Sequence, residues 1–154
     1  MQVRTATPAD AEAITALINA AFVVEKFFID GDRVNLDMVR AFLEKGVFLL
    51  AHNGRDIAGC VYTECRGNRG YLGLLSVDPA RQGSGLGRLL VEAVEQHCRA
   101  HGCEAVDLRV VNLREGLPEF YRHLGYTGNG TEEFPPGEVT KLACHFVKMT
   151  KSLA

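Results

Sequence analysis

The chain has 154 residues, of which 47% are hydrophobic and 23% are charged. This length suits a single domain over residues 1–154, and the composition excludes disordered, collagen-like and coiled-coil chains. The chain has 17 Lys and Arg residues and 19 Asp and Glu residues, which give a formal net charge of −2. The net charge therefore does not attract nucleic acid or an anionic membrane surface. No apolar run is long enough to span a bilayer, and the first residues carry no apolar leader. These features predict a cytoplasmic protein.

The first part of the chain predicts a strand, two helices and a three-stranded meander. A strand at about Val3–Ala6 precedes a helix from Thr7 to Phe22, whose apolar residues recur at helical spacing. A second helix is predicted from about Asn35 to Gly46. The hairpin signal Asn53-Gly54 then joins the first two of three predicted strands, which are Val47–His52, Asp56–Arg66 and Tyr71–Val77.

The second part of the chain alternates helices with strands. The predicted elements are a helix from Gly85 to about His101, a strand at Glu104–Val111, a helix at about Glu115–Leu124 and strands at Tyr126–Phe134 and Val139–Met149. The whole pattern predicts an α/β fold, with a mixed, mostly antiparallel sheet of about seven strands covered by about four helices. A homodimer could form through the last strands.

Thiols and imidazoles give no metal motif in the sequence. The five cysteines are odd in number and include no C-x-x-C pair, so neither a disulfide framework nor a zinc site is indicated; they are Cys60, Cys65, Cys98, Cys103 and Cys144. His97 and His101 have the i, i+4 spacing of metal ligands, but no third ligand completes a recognisable motif. We therefore predict free thiols, a histidine pair on a helix surface and no metal site.

The segment with the clearest chemistry is the turn between an apolar strand and an amphipathic helix, Gln82-Gly83-Ser84-Gly85-Leu86-Gly87. Unbonded amides at a helix N-terminus attract phosphate, and glycines let a phosphate approach the backbone. Arg81 and Arg88 add positive charge on either side. A Walker loop is excluded because Gly-Lys-Ser/Thr is absent, and a dinucleotide fingerprint is disfavoured because Arg88 stands where a third glycine is needed.

These residues resemble the Q/R-x-x-G-x-G/A signature of the GNAT superfamily of acetyl-coenzyme A-dependent N-acetyltransferases, and the order of elements matches along the chain. The resemblance implies that Gln82, Gly83, Ser84, Gly85, Leu86 and Gly87 bind the coenzyme A pyrophosphate. It also implies that the preceding strand bonds the pantetheine arm through the backbone of Leu75 and Val77.

A second similarity lies between Val110 and Tyr126, which matches the family's strand, helix and Phe-Tyr-x-x-x-Gly-Tyr/Phe ending. The resemblance implies that Tyr121 donates a proton to the departing coenzyme A thiolate, although a tyrosine there could also be a packed aromatic residue. Asn112 would either bond the pantetheine arm or cap the turn.

Direct acetyl transfer needs a free amine, a polarised thioester carbonyl and a proton for the thiolate. The strand Tyr71–Val77 carries no carboxylate to act as base. Glu64 and Glu25 are candidates, and each could equally be an ordinary surface carboxylate. A route through an acetylated cysteine is formally open, but nothing in the sequence activates a thiol.

The expected function is N-acetylation of a primary amine in a small molecule or peptide. By resemblance, the acceptor contacts the segments 23–33 and 128–140, whose apolar residues and carboxylates Glu132 and Glu133 suit a small cationic amine. The alternative is a non-catalytic acyl-coenzyme A sensor, or a partner-binding module, on the same fold.

Overall fold

The computed structural model describes residues 1–135 and 140–154. Its strands are β1 (Gln2–Thr5), β2 (Val47–Asn53), β3 (Asp56–Arg66), β4 (Arg69–Val77), β5 (Ala105–Val111), β6 (Thr127–Glu132) and β7 (Phe146–Ser152). Its α-helices are α1 (Ala11–Ala21), α2 (Leu36–Lys45), α3 (Leu86–Ala100) and α4 (Leu117–His123). The strands form one sheet in the order β1-β2-β3-β4-β5-β7-β6.

The predicted fold class is confirmed. Neighbouring strands are antiparallel except for β4 and β5, which are parallel. The hairpin predicted at Asn53-Gly54 joins β2 to β3, with Asn53 opposite Asp56. At one edge of the sheet, β6 is exposed over its whole length.

Several predicted boundaries are wrong by a few residues. The last strand covers Phe146–Ser152 rather than Val139–Met149, and Val139 itself lies outside the described residues. The helix α4 begins at Leu117 rather than Glu115 because Gly116, at φ +79°, has left-handed backbone that cannot belong to a right-handed helix.

The sheet separates two apolar layers. On one face, α3 and α4 pack through residues that include Leu90, Val94 and Tyr121. On the other face, α1 and α2 contribute Ile14 and Val39. Helices thus cover both faces of the sheet, although not the edge strand β6. Within the described part of the chain, no helix is long and apolar enough to cross a membrane.

A buried charged network holds α3 to the sheet and to the end of α4. Glu95 is 4% exposed, and its carboxylate accepts hydrogen bonds from the Tyr126 hydroxyl at 2.9 Å and from the Lys151 ammonium at 3.0 Å. Lys151 also donates to the Leu124 carbonyl at 2.8 Å. Each buried polar group therefore has a partner, which offsets the cost of removing it from water.

We expect Glu95→Ala to lower the free energy of unfolding by about 3 kcal/mol, because it leaves a partly buried ammonium and a buried hydroxyl unpaired. Urea denaturation measures the change. Glu92→Ala is the matched control on the same helix, since the exposed pair of Glu92 with Arg88 is worth less than about 1 kcal/mol. Equal losses in the two variants would contradict the role given to the buried network.

Candidate active site

A cleft opens where β4 and β5 part. The two strands pair only through Arg69–Tyr71 on β4 and Ala105–Asp107 on β5. Beyond Tyr71, β4 continues beside β3 as far as Val77, while β5 continues beside β7 as far as Val111. The edge of β4 that faces the gap therefore offers backbone N–H and C=O groups to a ligand.

A β-bulge changes the direction of β4 inside this cleft. The β3–β4 register shifts between Cys60 and Tyr62, and Leu74, at φ 54°, is the one non-glycine residue with positive φ among those described. Such bulges bend a strand and are common beside active sites. The sequence pattern of β4 did not predict this bulge. Gly73, next to Leu74, is the residue of the sequence that could have indicated it. An added Cβ at Gly73 would lie 2.8 Å from the Tyr71 ring.

The cleft has a volume of about 430 Å³. Its walls come from β4, β5, α4 and the segment after α1. Residues that line it include Gly73, Leu75, Val111, Tyr121, Phe22, Glu25, Phe28, Phe134 and Phe146. Residues from both halves of the chain thus meet at the gap between the two diverging strands, and Phe28 and Phe134 belong to the segments predicted to contact the acceptor.

Tyr121 supplies a protonated hydroxyl to this cleft. The side chain is 3% exposed, and its ring packs edge-on against Phe120 and Tyr126, with centroids 5.1 and 5.7 Å away. Burial raises the pKa of Tyr121 well above its usual value, so the phenol stays protonated at neutral pH. No described group bonds to the hydroxyl, and no polar side-chain atom among the described residues is both buried and unpaired. The hydroxyl is therefore open to the cleft.

The glycine-rich turn has the conformation that its sequence predicts. Gly83 and Gly85 have φ of 81° and 82°, and Gly85 caps α3 without a side chain to bond the first amides. The first helical hydrogen bond runs from the Leu89 N–H to the Gly85 carbonyl at 3.1 Å. Gly87 has a different reason to be glycine, because an added Cβ would lie 3.1 Å from Phe120.

The other predicted cofactor residues fall into three environments. Gln82 and Ser84 are exposed, and Ser84 Oγ donates to the Arg81 carbonyl. Leu86, the first residue of α3, is buried in the core, against which Val77 also packs, while Leu75 lines the cleft. The arginines that flank the turn are both paired at the surface, Arg81 with Asp56 and Arg88 with Glu92.

Asn112 is bonded to the backbone of a segment distant in the sequence. Its side-chain oxygen accepts a hydrogen bond from the His145 N–H at 2.8 Å, and its own N–H donates to the His145 carbonyl at 2.9 Å. The residue therefore fastens the end of β5 to the segment that leads into β7.

Both candidate carboxylates are held by arginines. Glu25 lines the cleft, is 7% exposed and accepts a hydrogen bond from Arg114 at 2.8 Å. Glu64 accepts from the Tyr62 hydroxyl at 2.8 Å and from Arg66 at 3.0 Å, and the Arg66 bond lowers the pKa of Glu64. Glu64 is not among the residues that line the cleft.

The charges of the cleft offer no support for the predicted cationic acceptor. Its described lining contains four basic side chains and three acidic ones, namely Lys26, Arg33, Arg109, Arg114, Glu25, Asp30 and Asp32. Glu132 pairs with Arg109 beside an adjoining cavity of about 570 Å³. Residues 136–139 of the second predicted acceptor segment lie outside the described chain.

Comparisons with known proteins agree with this architecture. A model of the acetyltransferase (GNAT) family matches residues 12–126. The mycothiol acetyltransferase of Propionibacterium freudenreichii subsp. shermanii is 30% identical over 133 residues, which cover 80% of this chain and 42% of that protein.

Solved structures share the fold. The structure of yncA from Salmonella typhimurium with its cofactor acetyl-CoA has a TM-score of 0.79 at 21% identity and covers 99% of this chain and 94% of that chain. The ribosomal-protein-S18-alanine N-acetyltransferase of Escherichia coli has a TM-score of 0.78 at 16% identity, with the same coverage.

The chain belongs to the acetyltransferase (GNAT) family, because the family match extends over most of its length. It spans less than half the length of two curated relatives that it matches, 42% of one and 48% of the other.

We expect Gly85→Glu to weaken the binding of coenzyme A about 100-fold, because a carboxylate at the start of α3 would repel a diphosphate and block its hydrogen bonds to the amides. Isothermal titration calorimetry measures the affinity. Gly54→Glu is the control, since Gly54 also has positive φ and open space around it but lies in the β2–β3 hairpin. An unchanged affinity in Gly85→Glu would refute the assignment of the turn.

Proposed function

We propose that this protein transfers the acetyl group of acetyl-coenzyme A to a primary amine of a small molecule or peptide, with both substrates bound at once. The observation that carries the proposal is the cleft between the diverging strands, where the free edge of β4 faces the hydroxyl of Tyr121. One end of the same strand leads into the unbonded amides of α3.

Acetyl-coenzyme A would bind along β4. Its diphosphate would accept hydrogen bonds from the N–H groups between Gly83 and Arg88, where the helix dipole also favours negative charge. Its pantetheine amides would pair with the backbone of Leu75 and Val77, as an added strand pairs with a sheet edge. This arrangement brings the thioester to the bulge at Leu74. The family name and the acetyl-CoA bound in yncA support this cofactor.

The transfer itself needs few groups from the protein. The amine nitrogen attacks the thioester carbon while an N–H of β4 stabilises the negative charge that develops on the carbonyl oxygen. The carbon–sulfur bond breaks, the sulfur takes the electron pair, and Tyr121 donates its proton to the thiolate. The amine loses a proton to water in the cleft, and the tyrosinate regains one from the same water.

Direct transfer is favoured over an acetylated cysteine because no cysteine is among the described residues that line the cleft. Cys60 is fully buried, and burial raises its pKa to about 12. A protonated thiol in the core is a poor nucleophile. The amine would therefore attack the thioester without an enzyme-bound intermediate.

The acceptor would enter from the side of α1. Phe22 offers apolar surface there, and the ion pair of Glu25 with Arg114 forms part of the wall. Since basic side chains are at least as numerous as acidic ones in the described lining, an amine that also carries a neutral or anionic group fits better than a polycation. Among the relatives, mycothiol acetyltransferase and an alanine N-acetyltransferase suggest small and peptidic amines for a first panel.

The five cysteines are free. Free thiols persist where glutathione and thioredoxin keep them reduced. We therefore retain a cytoplasmic location as part of the proposal.

An assay of thiol release from acetyl-coenzyme A with a panel of amines tests the proposed function, and Tyr121→Phe tests its chemistry. We expect this variant to lower kcat about 100-fold or more while it leaves the affinity for the cofactor unchanged, because only the proton donor is lost. Tyr126→Phe is the matched control, since its hydroxyl bonds Glu95 instead of facing the cleft. Binding of acetyl-coenzyme A with no transfer to any amine would favour the sensor instead.

The two carboxylates should behave differently in the same assay. We expect Glu25→Gln to raise the KM for the acceptor about tenfold, because Arg114 loses its charged partner in the cleft wall. Glu64→Gln should leave both kcat and KM within about twofold, since Glu64 lies outside the cleft. Loss of activity in Glu64→Gln with intact folding would identify it as the missing base and refute this assignment.

A further inference from the structure

Three thiols and two imidazoles meet at the end of the molecule where α3 finishes. The sulfur atoms of Cys65, Cys98 and Cys103 all lie within 4.8 Å of one another. Cys65 Sγ also lies within 4.8 Å of ring nitrogens of His97 and His101, which are within the same distance of each other. Cys65 is thus common to two overlapping groups of ligand atoms.

This cluster is separate from the proposed active site. Cys98 and His97 belong to the last turns of α3, whereas the glycine-rich turn precedes its first turn. A helix of 15 residues is about 22 Å long, so the two ends of α3 hold different sites. None of the five clustered residues lines the cleft.

The spacing of the sulfur atoms suits a metal ion. Thiolates that bind one tetrahedral zinc ion at about 2.3 Å are about 3.8 Å apart, and the three sulfur atoms reach that separation with small movements. Cys98 and Cys103 are 0% and 6% exposed, while Cys65 is exposed, which gives an ion a path from solvent.

The backbone leaves room for this cluster. An added Cβ at Gly70 would lie 2.4 Å from Cys98 Sγ, so β4 can carry only glycine opposite the thiol. On its other side, Cys98 Sγ is 3.6 Å from the Thr63 hydroxyl. Cys98 is therefore fixed against β3 and β4. Cys65 follows Glu64 on β3 and lies near Cys98 at the end of the β3–β4 hairpin.

A backbone contact orients one of the two imidazoles. His101 Nδ1 lies 2.8 Å from the His97 carbonyl, an acceptor, so Nε2 is the nitrogen of His101 that could bind a metal ion. The sequence predicted His97 and His101 as a pair on a helix surface and did not predict Cys65 as their neighbour.

We propose that the thiolates of Cys65, Cys98 and Cys103 bind a thiophilic divalent ion of the Zn²⁺ class, with an imidazole of His97 or His101 as the fourth ligand. The ion displaces three thiol protons to solvent and forms three metal–sulfur bonds, with no oxidation or reduction. It would join β3 to α3 and to the loop before β5, so its role is structural, and it takes no part in acetyl transfer.

Titration of the reduced, metal-free protein with Zn²⁺ or Co²⁺ tests the proposal. We expect one equivalent of Zn²⁺ to protect Cys65, the exposed thiol of the cluster, from a thiol reagent, and one equivalent of Co²⁺ to produce thiolate-to-metal charge-transfer absorption. Cys65→Ser should abolish the absorption and weaken Zn²⁺ binding at least 100-fold, because this exposed residue belongs to both ligand groups. Circular dichroism checks that the variant is folded.

Cys144→Ser is the matched control, since Cys144 is a thiol outside the cluster and its loss should leave both signals unchanged. The double variant His97→Ala, His101→Ala should keep the thiolate absorption but weaken binding about tenfold or more. Full reactivity of Cys65 with Zn²⁺ present, or the same absorption in Cys65→Ser as in Cys144→Ser, would overturn the proposal.

Discussion

The parting of two parallel strands is the constraint on which the rest of the structure depends. Hydrogen bonds between β4 and β5 stop at Tyr71 and Asp107, and from there the backbone edge of β4 needs another partner. A sheet that stayed paired over its full length would have no cleft, and Tyr121 on α4 would face only packed side chains. Because β4 and β5 form no hydrogen bonds with each other beyond this point, a ligand with its own amides is a suitable partner for this edge.

Neighbouring strands and the packed helices keep the gap between β4 and β5 open. Antiparallel neighbours hold each strand on its outer side, β3 beside β4 and β7 beside β5, so neither strand can relax toward the other. The apolar layers on the two faces of the sheet fix the helices. The Glu95 network adds a polar link between α3 and β7. The strained backbone at Leu74 persists because these neighbours determine its position.

Local sequence patterns predicted the strands and helices, whereas contacts between residues far apart in the sequence could not be predicted. Helical and alternating periodicity located most of the strands and helices, because these patterns depend on near neighbours. The pair of Glu25 with Arg114 joins residues 89 positions apart, and no local pattern predicts such a contact. The same is true of Asn112 with His145 and of Cys65 with Cys98. Functional partners of this kind depend on how the sheet folds.

A structure of the protein with bound acetyl-coenzyme A tests the central claim most directly. The account predicts diphosphate oxygens at hydrogen-bond distance from backbone N–H groups between Gly83 and Arg88, pantetheine amides paired with β4, and the thioester sulfur beside the Tyr121 hydroxyl. A cofactor whose diphosphate lies away from the start of α3, or whose thioester lies outside the gap between β4 and β5, would contradict it.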